Sequence, residues 1–193
     1  MIKKMVLIFI MSFILSTVIV SNEPTLLASD INWESQFGSI KDKPSIIYCL
    51  MGMGFFRAPT SKEIDEVIHE WLAEHPEAYL VPISIMQPLL NNDPDSKLIY
   101  VWVVDGDDNL NIHLVRMGCC SASAMQSLAA IDFSDLENDQ NTPKDDWFIE
   151  VISQLKQQKL LIDKEEYEKF ITKTIEAEQQ AMIEKLGIWG ETP

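Results

Sequence analysis

Arginine is nearly missing from this sequence: among 193 residues there are two, Arg57 and Arg116. With the lysines they make 15 basic residues against 30 acidic ones, a formal net charge of −15. A chain this acidic is repelled by phosphate backbones, which argues against tight non-specific binding of nucleic acid. Cysteine is scarce too. Cys49, Cys119 and Cys120 are too few for a disulfide scaffold, and no histidine or second cysteine pair lies at zinc-site spacing. Seven glycines and nine prolines, with no internal repeat, exclude collagen-like and low-complexity chains. What is present, 47% hydrophobic residues, is enough for one medium-sized core and not for two large ones.

The longest apolar run stands at the N terminus. Lys3 and Lys4 form a positive head, and Met5 to Val20 follows as a predominantly apolar stretch. About 16 residues is short for a membrane span and typical of a signal-peptide core. Residues 1–21 are therefore expected to be a signal peptide, with an uncleaved anchor as the alternative. The protein is then exported, to a periplasm, a cell surface or the medium. In an oxidising compartment Cys49 could bridge to Cys119 or Cys120. Three buried thiols acting as small hydrophobes are the other reading.

Residues 22–43 are polar and mixed, and read as a linker into a domain spanning 44–193. Ser45 to Met51, bounded by Pro44 and Gly52, reads as a buried strand. Thr60 to His75 reads as a helix. Thr60 and Glu63 have capping-box spacing, and Ile64, Val67, Ile68, Trp71 and Leu72 share one face. Tyr79 to Met86 is a strand in which Pro82 points to an edge or a bulge. Lys97 to Val104 is the strongest strand signal, and Asp105, Gly106 and Asp107 supply a turn. Ser134 to Asp146 is an acidic loop, followed by an amphipathic face of Trp147, Phe148, Val151, Ile152 and Leu155. A last helix runs from about Lys164 to Leu186, with Tyr167, Ile171, Ile175, Met182 and Leu186 near one stripe and Gly187 as its C-cap. Strands first and helices last make an α+β domain.

Two stretches carry a family resemblance. Tyr100 to Gly118, YVWVVDGDDNLNIHLVRMG, resembles the staphylococcal-nuclease-like (thermonuclease-like) domain in its strand, D-G turn, L/V-N pair and L-V-R-x-G. Ala177 to Trp189, AEQQAMIEKLGIW, is similar to that family's closing helix. The resemblance covers roughly 44–190, with an apparent acidic and helical insertion around 132–161. It implies a small five-stranded OB-type β-barrel with packed helices. In family members that are enzymes it implies phosphodiester cleavage with one Ca²⁺: two acidic residues hold the metal, a glutamate activates water, and two arginines neutralise the transition state.

Only part of that set carries over. Arg116, in LVRMG, matches the second, phosphate-contacting arginine. Arg57-Ala58-Pro59-Thr60 falls where the family has D-T-P-E, so an arginine replaces a metal-binding aspartate and a threonine replaces the glutamate. Leu50 to Gly54 holds no first arginine, and no D-G-D-T motif precedes Ser45. The resemblance thus implies a domain without the Ca²⁺ centre, for which no cofactor is expected and whose partner is another protein. In a rival register, Val103 to Asp108 is the family's V-D-G-D-T motif. Asp105 and Asp107 are then Ca²⁺ ligands and Arg116 the first arginine of an active nuclease acting on DNA or RNA. Cys119 to Ala122 stands there in place of D-T-P-E.

Plainer readings stand beside these. Asp105, Asp107 and Asn109 have Ca²⁺-loop spacing, but Leu110 occupies the glycine position and Arg116 that of the bidentate glutamate, so a hairpin turn is the better account. Arg116 is more simply a structural partner of carbonyls or a carboxylate. His69 and His75 do not share a helix face, His113 is isolated, and Ser121 and Ser123 lack a nucleophile elbow. Trp71, Trp102 and Trp147 read as packing. Met51, Met53, Phe55 and Phe56 read as core before they read as a ligand groove. The expectation is an exported thermonuclease-like domain that works as a binding or structural module. The active Ca²⁺-dependent nuclease is the alternative, and an unrelated exported acidic α+β protein is a third option.

Overall fold

The computed structural model describes residues 25–52, 61–86, 96–131 and 158–190, with positions 149 and 153. Expectations for the N-terminal apolar run, Arg57 to Thr60, Met53 to Phe56, the acidic loop and Trp147 lie outside the described residues. The strands are β1 (Asn32–Glu34), β2 (Phe37–Ile40), β3 (Lys43–Cys49), β4 (Tyr79–Met86), β5 (Lys97–Asp105) and β6 (Asp108–Asn109). The helices are α1 (Ser61–Glu74), α2 (Leu110–Arg116) and α3 (Lys164–Glu184). This is an α+β fold.

The six strands form one mixed sheet in the order β1-β2-β3-β5-β4, with β6 on β5. β3 and β5 run parallel, and the other pairs are antiparallel. A parallel pair cannot be closed by a hairpin, so α1 and β4 make the crossover between them. α1 buries Ile64, Ile68 and Trp71, the face that the helical periodicity marks. β5 is an interior strand that pairs with β3, β4 and β6, and its Val101 and Val103 have no exposure at all. In β4 the register slips between Pro82 and Ser84. An irregularity there accommodates a residue with no N–H to donate.

Two expectations about the linker and the sheet are corrected. The stretch read as a polar linker carries β1 and β2, and Ala28, Ile31 and Trp33 enter the core. Its inward residues are separated by polar ones and its strands are three and four residues long, so no window shows a continuous apolar signal. The sheet is also not closed into a barrel: the edge strands β1 and β4 share no ladder among the described residues. Among the described residues the edges are stitched near Leu27 and Tyr79. Ala28 donates to the Ala78 carbonyl (2.8 Å), Leu80 donates to the Leu26 carbonyl (3.0 Å), and Leu27 bridges Tyr79. A 3-10 turn at Ala28–Asp30 then lifts the chain away before β1 begins.

α3 packs on a different face from the one its large aliphatic residues suggest. Tyr167, Phe170, Thr174, Ala177 and Ala181 are buried, whereas Ile175, Met182 and Ile183 are exposed. Small residues at 174, 177 and 181 let the helix approach closely, and Phe170 supplies the bulk by stacking on Trp102 (centroids 4.0 Å apart). A hydrophobicity count has no way to reward the small side chains.

Candidate functional site

The β5–β6 turn sets the site. Asp105 pairs with Asp108, leaving the two-residue loop Gly106–Asp107, and Gly106 alone has a positive φ, +58°. That is the pattern of a type II′ hairpin, whose first central position favours glycine. The hairpin runs directly into α2, whose first turn is capped by Asn109 accepting from the Ile112 N–H (3.1 Å).

α2 is anchored by Asn111, which is fully buried. On the edge of β5 that faces β3, the β3 ladder ends at Tyr100 and β6 begins at Val104, which leaves Val101 to Val103 without a strand partner there. The Asn111 amide occupies that place. Its Oδ1 accepts from the Val103 N–H (3.0 Å), and its Nδ2 donates to the carbonyls of Val101 (3.0 Å) and Leu50 (2.6 Å). One side chain thus continues the sheet where β3 stops, and fixes the helix that carries His113 and Arg116.

The far end of α2 docks on the far end of α3. Gly118 (φ +71°) and Gly187 (φ +51°) face each other so closely that a Cβ on either would collide with the other segment's backbone. Cys119 donates to Leu114 O and Gly118 to Val115 O (both 2.9 Å), while Ile188 donates to Gly118 O (2.9 Å). Gly187 is not the cap of α3. Lys185 takes the left-handed position, φ +56°, and Leu186 returns its N–H to Ala181 O (2.9 Å). The two stretches that carry the family resemblance therefore meet in one joint.

Arg116 lies beside this joint. Its Nη2 donates to both oxygens of Glu184, at 2.7 and 2.9 Å, with the two side chains partly exposed. Between the hairpin, α2 and α3 there is an open cleft of about 460 Å³. Its charged lining is Asp107, Asp108, His113, Arg116, Lys173 and Glu176, with Trp71 among the remaining lining residues. The structure thus brings Asp107 and Arg116 to one cleft. Asp105 is not part of that lining, and among the described residues no three His, Cys, Asp or Glu side chains converge on a metal position.

His75 joins α1 to the hairpin. Its ring stacks on Trp71 at 3.9 Å, its Nδ1–H donates to Trp71 O (2.8 Å), and its Nε2 lies 3.5 Å from Asp108 Oδ2. His113 is half-buried. Burial first, then the charge of His75, pushes its pKa below the ordinary 6.5, with Arg116 adding and Glu74 and Asp108 opposing. His69 faces only its own helix, with Nδ1 2.7 Å from Asp65 O.

Cys49, Cys119 and Cys120 are buried and none of them is in a disulfide in the structure, so neither proposed bridge from Cys49 is formed there. Burial raises Cys49 to about 11 and Cys120 further still, which removes the thiolate that reactivity requires. Ser121 and Ser123 hydrogen-bond to each other (2.8 Å). Trp102 is packing and donates to the Tyr100 hydroxyl (3.1 Å), which in turn donates to Met125 O (2.7 Å). A second groove, of about 700 Å³, runs between residues 126–131 and the first half of α3. Glu184, Lys173 and the roles of His75 and Asn111 escaped the sequence reading, in which Asn111 stands only as the asparagine of the L/V-N pair. Asn111 had one signal, an amide between Leu110 and Ile112 in an otherwise apolar turn.

No protein-family model matches the chain, and no curated protein sequence matches it. Among the described residues no helix is long and apolar enough to cross a membrane.

Proposed function

We propose that this chain is an exported thermonuclease-like domain that binds a partner protein and does not cut phosphodiesters. The observation that carries the reading is the Arg116–Glu184 pair. The side chain at the family's phosphate-contacting position gives one guanidinium nitrogen to both oxygens of a carboxylate of its own chain. Glu184 thus competes with phosphate for that nitrogen, in a pair whose side chains are partly exposed. The finer fold reading, a partly open OB-type barrel, is supported by three features. β5 returns beside β3, α1 lies between β3 and β4, and the backbone bonds from Leu26–Ala28 to Ala78–Leu80 bring the sheet's edges together. A net charge of −15 steers such a module toward basic protein surfaces and away from nucleic acid.

The alternative, a Ca²⁺-dependent nuclease with a rearranged site, draws on one observation: Asp107 and Arg116 line the same cleft. Incubation with single-stranded DNA, with Ca²⁺ and with chelator, separates the two. The binding module gives no cleavage above an inactive control. Chelator-sensitive cleavage that disappears in Arg116→Ala would overturn it in favour of the nuclease.

A further inference from the structure

We infer that a second copy of this chain docks on the outward face of α3 in antiparallel register, making a two-fold dimer. The aliphatic residues that α3 leaves outside are not scattered. Glu168, Ile171, Ile175, Glu178, Met182 and Lys185 follow one another at intervals of three and four, the spacing that keeps a seam on one side of a helix. Ile175 and Met182 are exposed, Ile171 is half-buried, and Ile183, next to Met182, is 81% exposed. Glu184, two residues beyond Met182, turns to Arg116. The seam therefore lies on the opposite side of α3 from that ion pair, and the dimer does not depend on what the cleft binds.

The order of charges along the seam selects the occupant and its direction. A parallel second copy would set Glu168 against Glu168, Glu178 against Glu178 and Lys185 against Lys185. Turned antiparallel, the same seam sets Glu168 of each copy against Lys185 of the other, and Ile171 against Met182. Ile175 then faces Glu178, whose Oε1 accepts from the Ala122 N–H (3.1 Å) and leaves the methylenes to the contact. Glu168 also lies 3.7 Å from Lys164, an exposed pair one turn away, which is too weak to hold it from Lys185. Shape agrees with charge. The first half of the seam walls the groove of about 700 Å³, where Ile171 lies with Ala129, Ala130, Ile131 and Leu160. The second half stands out as a ridge of Met182 and Ile183. A two-fold axis lays each ridge over the other copy's groove, so both apolar surfaces are covered at once.

Sedimentation equilibrium of the full chain tests the dimer, at loadings from micromolar to millimolar and in enough salt to screen a net charge of −15 per copy. Wild type, Met182→Lys, Glu168→Lys and the double variant Glu168→Lys/Lys185→Glu would be compared, each first shown to be folded by circular dichroism. The wild type should pass from a mass of 22.0 kDa toward twice that value as concentration rises. Met182→Lys carries a charge into both grooves and should raise the dissociation constant at least about tenfold. Glu168→Lys should weaken the dimer by about two- to thirty-fold, the range for two exposed ion pairs, and the double variant should recover that loss. A wild type that stays at 22.0 kDa throughout would leave the face to a different partner and overturn the proposal. So would a dimer that Met182→Lys leaves intact, or a double variant no tighter than Glu168→Lys alone.

Discussion

Replacing Asn111 with leucine isolates what its side-chain amide does. The two side chains are close in volume, so no large cavity opens, but three backbone groups lose their partner: Val103 N–H, Val101 O and Leu50 O. All three contacts are buried, and water does not replace the amide without breaking the packing around it. A buried polar group left unsatisfied costs about 1–3 kcal/mol. Taking the low end for each, because some strain can relax, gives a loss of about 3 kcal/mol. That is a large part of the roughly 5–15 kcal/mol that holds a domain of this size together. Asn111→Asp should be at least as damaging. It keeps the acceptor for Val103 but turns a carboxylate oxygen toward the two carbonyls that Nδ2 now serves. Urea unfolding, compared at equal m-value, measures both. A loss below about 1 kcal/mol in Asn111→Leu would refute the idea that this amide continues the sheet past the end of β3.

Gly118→Ala should destabilise by about 2 kcal/mol or more, because a left-handed L-residue is strained and the added Cβ would strike the Leu186 carbonyl; unfolding midpoints measure it. Ser35→Gly should stabilise by about 0.5–1 kcal/mol: Ser35 has φ +54° in the two-residue β1–β2 loop, and its backbone bond to Asp65 survives the change. A fall in melting temperature would contradict this. Thiol titration should find no fast-reacting cysteine in the native protein at pH 8, where a group raised to about 11 is about one part in a thousand thiolate. Three thiols should appear on unfolding without reductant, and one in their place would restore the Cys49 bridge.

The elements legible in the sequence are those whose burial is carried by large side chains. The face of α1, the strand β5 and the D-G turn all announce themselves through Ile, Val, Trp and Gly at the right spacing. What was not legible depends on small or polar residues, or on partners distant in the chain. β1 and β2 bury single residues between polar ones. The packed face of α3 is set by Thr174, Ala177 and Ala181, which no count of hydrophobic bulk selects. The ion pair of Arg116 was legible in kind, as a structural carboxylate contact, but Glu184 lies 68 positions away and nothing local names it. Likewise, the His75 contact to Asp108 depends on the fold bringing the end of α1 to the hairpin.

The residues that create the family resemblance can be sorted by what they do here. Asn111 continues the sheet, Gly106 makes the turn, and Gly118 with Gly187 lets two helix ends touch. Each answers a need of the backbone. A match at these positions is thus a match of folding requirements, and any chain that places a hairpin, a short helix and a closing helix in this way meets the same demands. Chemistry would have to be carried by other positions; of these, Asp107 and Arg116 line one cleft while Asp105 does not, and Nη2 of Arg116 is bonded to a carboxylate of the same chain. The pairing fits the binding module proposed above better than the nuclease. It also says where that proposal is to be tested: in the open cleft beside the pair, which the hairpin, α2 and α3 line with Asp107, Asp108, Lys173 and Glu176.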